Sequence, residues 1–338
     1  MFSFSPYSST NKDDWMQLVD ELLSSNTIAN DEIFLEKKSV FNLVIYMNRD
    51  DGKKTPIAIF LSSGINAKFK GLIKVLDANS GGLYISGKYK NKSWKVKEYF
   101  NKIIKEYFIK VYQVDVVEFM QTPFFAINNP ALEYISNPGF SSFSLINSIL
   151  YMDLVGNPIE NLSANSRNQV KRGLKYIQDR ILLEGRNQGY VDFLVKLDHY
   201  KSKRLGIKPF AREYFEQIIQ SKQYNVLICM DEKGIEPISC IVYSIVGFIG
   251  DFIYMAGVEE ARKYFVNKAL LYTAMNKSKL AECDYFILGV GCMNVGNMKE
   301  VTVFKKEMSS NEVSCNFYRS PVSIVGKLYC SLLFFLRK

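Results

Sequence analysis

The sequence predicts an α+β fold of two tandem lobes, each a mixed and mostly antiparallel sheet flanked by helices. The chain has 338 residues, which is longer than one typical domain. In each half, a group of strand-like segments is followed by one helix and a further strand, a pattern typical of a sheet crossed by a helix. The two halves therefore read as two copies of one fold. We expect an N-terminal lobe at 1–145 and a C-terminal lobe at 146–338.

The first half begins with a helical pattern at 13–25. Two strand-like segments, 39–48 and 55–63, flank an Asp-Gly turn and predict a hairpin. Apolar residues at helical spacing then predict a helix at 93–108, and the alternation that follows predicts a strand at 111–121. A stretch rich in Asn, Pro and Ser near residues 128–142 is typical of a connection between lobes.

The second half repeats the mixed pattern. It starts with a strand at 149–155 and then favours helices at 163–178, 189–206 and 211–222. Three strands joined by glycine turns follow. The remaining predicted elements are a helix at 267–282, a strand at 283–290 and a last strand at 313–320.

Composition narrows the class of protein. The chain is 48% hydrophobic and 23% charged, which is typical of a folded domain and not of a disordered chain. It has no apolar run long enough to span a membrane and no signal peptide pattern, so we expect a cytoplasmic protein. Six cysteines without a C-x-x-C pair and a single histidine argue for reduced thiols and against a metal site.

The positive charge is concentrated in one window. The net charge is +9, and residues 167–212 alone carry 12 Lys and Arg against 4 Asp and Glu. Arg167, Lys171 and Arg172 share one face of a predicted helix, and arginine suits phosphate oxygens. The window predicts an anion site for a nucleotide diphosphate or for tRNA. A solvated basic face is the alternative.

A glycine-containing loop follows the strand at 283–290. The loop contains Gly289, Gly291 and Gly296. Their spacing is not that of a dinucleotide fingerprint, so we expect them to let the backbone turn at the end of the strand. The aromatic-cation pair Phe304-Lys305 comes next.

Three stretches of the second half resemble the FemAB-like branch of the GNAT acyltransferase superfamily. They are "YMDLVGNPIENLSANSRNQVKRGLK", "HYKSKRLGIKPFAREYFEQI" and the segment from "YMAGVEEARKYFVNKALL" to "VTVFKKEM". The resemblance covers residues 150–318, and the first half matches only in its order of elements. It implies two tandem GNAT-like lobes and transfer of an activated acyl group to an amine.

The resemblance also implies roles for residues. Phe304 and Lys305 would lie near the reacting acyl group, and Arg204 would bind a substrate phosphate. We expect acyl transfer from acyl-CoA to the amino group of a dTDP- or UDP-linked amino deoxysugar, for surface polysaccharide synthesis, without a metal. The alternative is an aminoacyl-tRNA-dependent peptidoglycan bridge ligase. A non-catalytic nucleic-acid-binding protein and a membrane-peripheral scaffold are further alternatives.

CoA-binding GNAT members often carry Arg/Gln-x-x-Gly-x-Gly/Ala before the central helix, where backbone N–H groups meet the pyrophosphate. Here the corresponding stretch is "EEARKYFVNKALL", with no glycine after Gly257. Arg262, Lys263 and the N–H groups around Asn267 are the candidate phosphate ligands, and those around Gly257 are candidates to polarise the acyl carbonyl. A solvated helix start is the alternative.

Two further groups are candidates for proton transfer. His199 is the only histidine, the residue type most often used as a general base, although an exposed helix residue is the alternative. Tyr254 could protonate a leaving thiolate, or be a core tyrosine with a hydrogen-bonded hydroxyl. The apolar tail 322–338 predicts an amphipathic helix packed on the body or in peripheral contact with a membrane.

Overall fold

The computed structural model describes residues 1–22, 41–62, 64–78, 82–120, 133–135, 143–290 and 298–335. The chain divides into two compact units. The first contains Met1–Asn147 and Ser314–Lys338, and the second contains Ser148–Val313. Both are mixed α+β structures with sheets flanked by helices, so the predicted fold class is confirmed.

The strands are numbered in chain order. In the first unit they are β1 Phe2–Pro6, β2 Leu43–Asn48, β3 Lys54–Leu61, β4 Gly64–Lys68, β5 Ile73–Ala78, β6 Gly82–Ile85, β7 Val116–Met120 and β8 Glu133–Ile135. Next come β9 Phe143–Asp153, β10 Leu182–Glu184, β11 Tyr224–Met230, β12 Pro237–Val246, β13 Ile249–Gly257, β14 Tyr285–Val290 and β15 Asn311–Pro321.

The helices are numbered in the same way. They are α1 Lys12–Leu22, α2 Ser93–Ile103, α3 Ala164–Gln178, α4 Tyr190–Leu205, α5 Arg212–Gln220, α6 Glu259–Lys263, α7 Val266–Leu280, α8 Met298–Glu307 and α9 Ile324–Phe335. Helix α2 continues through a π-helical turn at Ile104–Ile109. None of the helices in the described ranges is long and apolar enough to cross a membrane.

The first unit has strands in two sheet segments. One is antiparallel, in the order β1-β2-β3-β6-β8. In the other, β4 pairs antiparallel with β5, β5 pairs parallel with β7, and β7 pairs antiparallel with the end of β15. Helix α2 lies in the chain between the parallel strands β5 and β7, and its apolar residues Val96 and Phe100 are buried in the core. This is a strand–helix–strand connection of the kind that parallel pairing requires.

The C-terminal segment belongs to the first unit. The sequence analysis assigned all of 146–338 to the second lobe, whereas the structure groups Ser314–Lys338 with residues 1–147. The reason is pairing over a long distance in the chain: Phe317–Pro321 of β15 pair with β7, and Arg319 donates to Glu118 at 2.6 Å. Helix α9 then packs on β5 through Tyr329 and Cys330.

The second unit is built on a sheet in the order β10-β11-β12-β13-β14-β9. All neighbouring strands are antiparallel except β13 and β14, which are parallel and are separated in the chain by α7. Side chains alternate between the faces of a strand, and both faces are covered here. Leu227, Ile241 and Met255 face the core that contains α7, whereas Val226, Val242 and Tyr254 face the core under α4 and α5.

Burial on both faces explains the continuous apolar runs of β11 and β12, which the sequence analysis interpreted as strands. It also explains the cysteines. The free thiols of Cys229, Cys240 and Cys283 are buried in this unit, and burial raises their pKa values. They pack as small apolar groups.

Candidate active site

A cavity of about 640 Å³ lies within the second unit. Its walls come from β13, α3, α4, α8 and the start of α7. The lining is apolar on β13, where Phe252, Met255 and Ala256 contribute, and charged elsewhere. The cationic lining residues are Lys201, Arg204, Arg262, Lys268, Lys299 and Lys305. The acidic ones are Glu300 and Glu307. An apolar pocket with a few converging charges is the usual form of a ligand site.

The cavity opens where two parallel strands part. Strands β13 and β14 pair from Ile249–Tyr285 to Asp251–Ile287, and the pairing stops there although both strands continue. Lys305 occupies the gap. Its Nζ lies 5.5 Å from the ring centre of Phe252 on β13 and would lie 3.2 Å from a Cβ on Gly289 of β14. Gly289 has a φ of +86° and leaves room for this ammonium.

Lys305 is buried, and its ammonium has no hydrogen-bond partner among the described residues. Only 9% of the residue is exposed, and its Nζ makes no hydrogen bond or ion pair within the ranges that the structure describes. Burial lowers the pKa of Lys305, while the nearby Asp251 carboxylate acts in the opposite direction. Burial likewise raises the pKa of Asp251 to about 7, against the influence of Lys305. The pair therefore changes its charge state more easily than exposed groups would.

A half-buried lysine, Lys201, lies on α4. Nζ of Lys201 lies 4.1 Å from the ring centre of Tyr254, a cation–π geometry. Burial lowers the pKa of Lys201, and the neighbouring Asp198 opposes this. Asp198 is held by two donors, because the Tyr254 hydroxyl donates to it at 2.8 Å and the Phe210 N–H at 2.7 Å. These hydrogen bonds hold Asp198 and Tyr254 in place beside Lys201, which lines the cavity.

Two arginines share one carboxylate at the edge of the cavity. Arg204 donates to Glu300 at 2.7 Å, and Arg262 lies 3.8 Å from the same oxygen and 3.3 Å from Glu259. Nε of Arg204 is buried without a hydrogen-bond partner among the described residues. The guanidinium groups therefore have donor capacity left for an anion.

Lys268 is the first cation inside α7. It is 5% exposed, donates to Glu307 of α8 at 2.8 Å and also bonds the side chain of Gln169 on α3. Because its side chain bonds both α3 and α8, the buried Lys268 of α7 holds these three helices together around the cavity.

The start of α7 lacks the glycines expected of a CoA loop. Counting from Arg262, the two glycine positions are occupied by Phe265 and Asn267, and both line the cavity. Phe265 nevertheless adopts φ +60°, the left-handed conformation that glycine usually supplies. Asn267 accepts a hydrogen bond from Ser239 at 2.6 Å, and a Cβ on Gly257 would lie 2.5 Å from its Oδ1. The two positions at which the CoA pattern has glycine therefore carry side chains in this protein.

The structure brings together six of the residues predicted from sequence. Phe304, Lys305, Arg204, Gly257, Arg262 and Asn267 all line the cavity. Phe304 and Lys305 lie in the last turn of α8, a helix that the sequence analysis did not assign.

The other predicted residues lie elsewhere. The Tyr254 hydroxyl is bound to Asp198 in the core, and burial raises the pKa of Tyr254, which makes it a poor proton donor for a leaving group. His199 lines a separate groove of about 480 Å³, with Nδ1 at 2.8 Å from the Val195 carbonyl. Lys263 lies over the exposed ring of Tyr264.

The basic face of α3 lies beside the cavity. Lys171 and Arg172 are exposed and Arg167 is half-buried, and none of the three lines the cavity. The guanidinium of Arg172 lies 4.9 Å from the ring centre of Phe265, which does line it. Much of the rest of the positive window is neutralised by ion pairs, such as Arg180 with Glu232 and Arg212 with Asp192.

Sequence reasoning missed Lys201, Lys268 and Asp251. For each of these three residues, the neighbouring sequence contained a pattern that could have indicated it. Asp251 interrupts an apolar strand, and Lys268 interrupts the apolar residues at the start of α7. Lys201 follows Asp198 by three residues on the same face of α4. Within the described ranges, no three His, Cys, Asp or Glu side chains cluster in a way that could hold a metal.

No protein-family model and no curated protein sequence matches this chain. Solved structures do resemble it. FemX is 11% identical, with a TM-score of 0.58 over 98% of this chain and 99% of that chain. The C-terminal domain (DUF2156) of a protein described as a lysylphosphatidylglycerol synthetase from Agrobacterium fabrum is 14% identical, with a TM-score of 0.58 over 96% and 95%. L-PGS from Bacillus licheniformis is also 14% identical, with a TM-score of 0.54 over 96% and 95%. At these identities the likeness shows a shared fold.

Proposed function

We propose that the protein is an acyltransferase of the aminoacyl type, which moves an aminoacyl group from aminoacyl-tRNA to an acceptor amine in the cavity of the second unit. The observation that carries the proposal is the free and buried Lys305 ammonium in the gap between β13 and β14, at the end of a cavity whose helix start has no glycine loop for CoA. The chain shares its fold with FemX and with the C-terminal domain of a protein described as a lysylphosphatidylglycerol synthetase.

The chemistry requires stabilisation of negative charge. The acceptor nitrogen attacks the ester carbonyl carbon, a C–N bond forms and the carbonyl oxygen becomes an oxyanion. The C–O bond to the ribose then breaks, the ribose oxygen takes up a proton and the amine loses one. Lys305 is placed to stabilise the oxyanion, because a preorganised cation in a site shielded from water acts more strongly than one in water. Asp251, whose carboxylate interacts with Lys305 and whose pKa is raised to about 7, is our candidate to accept the amine proton.

The choice of donor rests on the start of α7. A CoA pyrophosphate needs backbone N–H groups that it can approach closely, and the side chains of Phe265 and Asn267 occupy that approach. An aminoacyl ester of tRNA does not need this loop. It carries its phosphates on a nucleic-acid backbone, for which the exposed cations of α3, such as Lys171 and Arg172, are suitable partners.

The charges of the cavity indicate the charge of the acceptor rather than its identity. Arg204 and Arg262 share Glu300, and Arg262 also pairs with Glu259. Nε of Arg204 is buried without a hydrogen-bond partner among the described residues. This arrangement favours an acceptor that carries phosphate. A cell-wall precursor with a free amine fits the FemAB-type reaction. A nucleotide-linked amino sugar is the second candidate, since its diphosphate suits the same two arginines.

Replacing Lys305 tests the proposal. We expect Lys305→Ala to lower kcat for aminoacyl transfer at least tenfold, because removing one stabiliser of an oxyanion costs about 10²–10³ in rate. The measurement is transfer of a labelled amino acid from tRNA to an amine acceptor, followed by mass spectrometry of the product.

Lys306→Ala is the matched control. Lys306 is the adjacent residue, is exposed and pairs with Glu312 at 3.6 Å, so its loss should leave kcat within about twofold of the wild type. Equal activity of the folded Lys305→Ala variant and the wild type would remove Lys305 from the mechanism.

A further inference from the structure

Helix α9 of the first unit is apolar on the side that faces away from the sheet. Its inner face is anchored: Tyr329 and Cys330 are buried, and a Cβ on Gly326 would lie 2.1 Å from the Asp115 carbonyl oxygen. On its outer face, Ile324, Val325, Leu328 and Leu332 are 78%, 47%, 69% and 49% exposed. A helix that is apolar on both sides is normally covered on both sides.

A loop of the same unit extends this apolar surface. Between β4 and β5, Phe69 and Leu72 are 57% and 78% exposed, and the Phe69 ring meets the ring of Tyr329 edge-on at 5.8 Å. Phe69 has φ +47°, a left-handed conformation that costs free energy for an aromatic residue. The outer residues of α9 with Phe69 and Leu72 are called the α9 surface below. An apolar surface of this kind marks an interaction site.

The exposed charged side chains on the two segments that form the α9 surface, 64–74 and 324–335, are all lysines. Lys68 and Lys70 flank Phe69 and are exposed, and Lys327 is exposed at the edge of the helix face. No Asp or Glu follows Glu312 in the sequence, and the chain ends in Arg337-Lys338. The segment 64–74 also contains no acidic residue. The partner must therefore combine an apolar interior with negative charge at its boundary.

We propose that the α9 surface docks on the surface of an anionic lipid bilayer, with α9 lying flat in the headgroup region. A helix of 12 residues is about 18 Å long and fits this role, since apolar side chains enter the acyl boundary while flanking lysines meet anionic headgroups. A second copy of the chain is a poorer partner. A symmetric contact would bring the lysines of the two copies together, and lysine is depleted in protein interfaces.

Vesicle flotation tests the proposal. The full-length protein is mixed with vesicles of pure phosphatidylcholine or with vesicles containing about a third phosphatidylglycerol. We expect the wild type to float with the anionic vesicles only. Leu328→Glu should weaken this binding at least tenfold, and so should the double variant Lys68→Glu/Lys70→Glu.

Leu280→Glu is the matched control, because Leu280 is 84% exposed at the end of α7 in the second unit and should leave vesicle binding unchanged. Circular dichroism verifies folding, and Ile324→Ser replaces Leu328→Glu if that variant does not fold.

The proposal is overturned if the wild type does not bind anionic vesicles or if the folded α9 variants bind them as the wild type does. It is also overturned if the surface instead forms a dimer that Leu328→Glu dissociates. Activity of the second unit does not enter the readout, so this result is independent of the proposed transfer reaction.

Discussion

At the scale of single residues, the site depends on charges that are buried with few partners. Phe304, Lys305 and Arg204 were singled out in the sequence by resemblance, and all three line the same cavity. Burial was not predictable, because it depends on strands β13 and β14 parting after Asp251 and Ile287. For the same reason Asp251 could not be paired with Lys305, which is 54 positions later in the chain.

Asp251 gives the protein a pH dependence of stability with a defined sign. Its carboxyl has a pKa of about 7 in the folded protein against 3.8 ordinarily, so the folded state binds the proton more tightly than the unfolded state does. The stabilisation from this group is complete below about pH 4 and is lost as the pH rises through 7. Asp251→Asn removes this loss. We expect the free energy of unfolding of the variant, relative to the wild type, to rise between those pH values by at most about 1.4 kcal/mol per pH unit.

Urea unfolding of both proteins from pH 4 to pH 8 measures the difference. Asp153→Asn is a suitable control, because Asp153 is another strand aspartate of the second unit and lies outside the cavity. Parallel stability curves for the wild type and Asp251→Asn would show that the carboxyl titrates normally.

At the scale of elements, most helices followed from local patterns. The predicted helices 163–178, 189–206, 211–222 and 267–282 correspond closely to α3, α4, α5 and α7. Helix α8 was not predicted, because the glycine-containing stretch before it was interpreted as a loop that leads away from a strand. Residues 291–297 lie outside the described residues. The glycines 291 and 296 discussed above fall in that stretch. The position of β15 was also not predictable, because its pairing with β7 joins residues about 200 positions apart.

The crossing of α3 over the start of α7 is the tightest contact near the site. A Cβ on Gly173 of α3 would lie 2.4 Å from the carbonyl oxygen of Phe265 and 3.0 Å from Cβ of Ala269. Gly173→Ala should therefore destabilise the protein by about 1–3 kcal/mol through overpacking, although alanine gains about 1 kcal/mol in helix propensity. Thermal unfolding measures the change.

Asn168→Ala provides the comparison on the same helix. Asn168 is exposed, so the substitution gains propensity without a clash and should be neutral or slightly stabilising. A stabilised Gly173→Ala variant would show that α3 and α7 have room to separate, and that Phe265 is not fixed by their contact.

At the scale of the whole molecule, the chain contains two units with a recurring connection. Each has a parallel strand pair, β5 with β7 and β13 with β14, separated in the chain by a helix. The sequence predicted this repetition from the order of strand, helix and strand. The lobe limits 1–145 and 146–338 remain predictions, and the structure groups Ser314–Lys338 with the first unit. A terminal segment that rejoins the first unit leaves no local signal, because β pairing can join any two parts of a chain.

The central claim of the proposal is that the cavity of the second unit receives an aminoacyl ester. A ligand that binds only the folded state raises its melting temperature, so thermal shift tests this claim directly. We predict a saturable rise with aminoacyl-tRNA that is larger than with uncharged tRNA and weakens as salt is added. We predict no rise with acyl-CoA. A saturable rise with acyl-CoA, and none with aminoacyl-tRNA, would contradict the account.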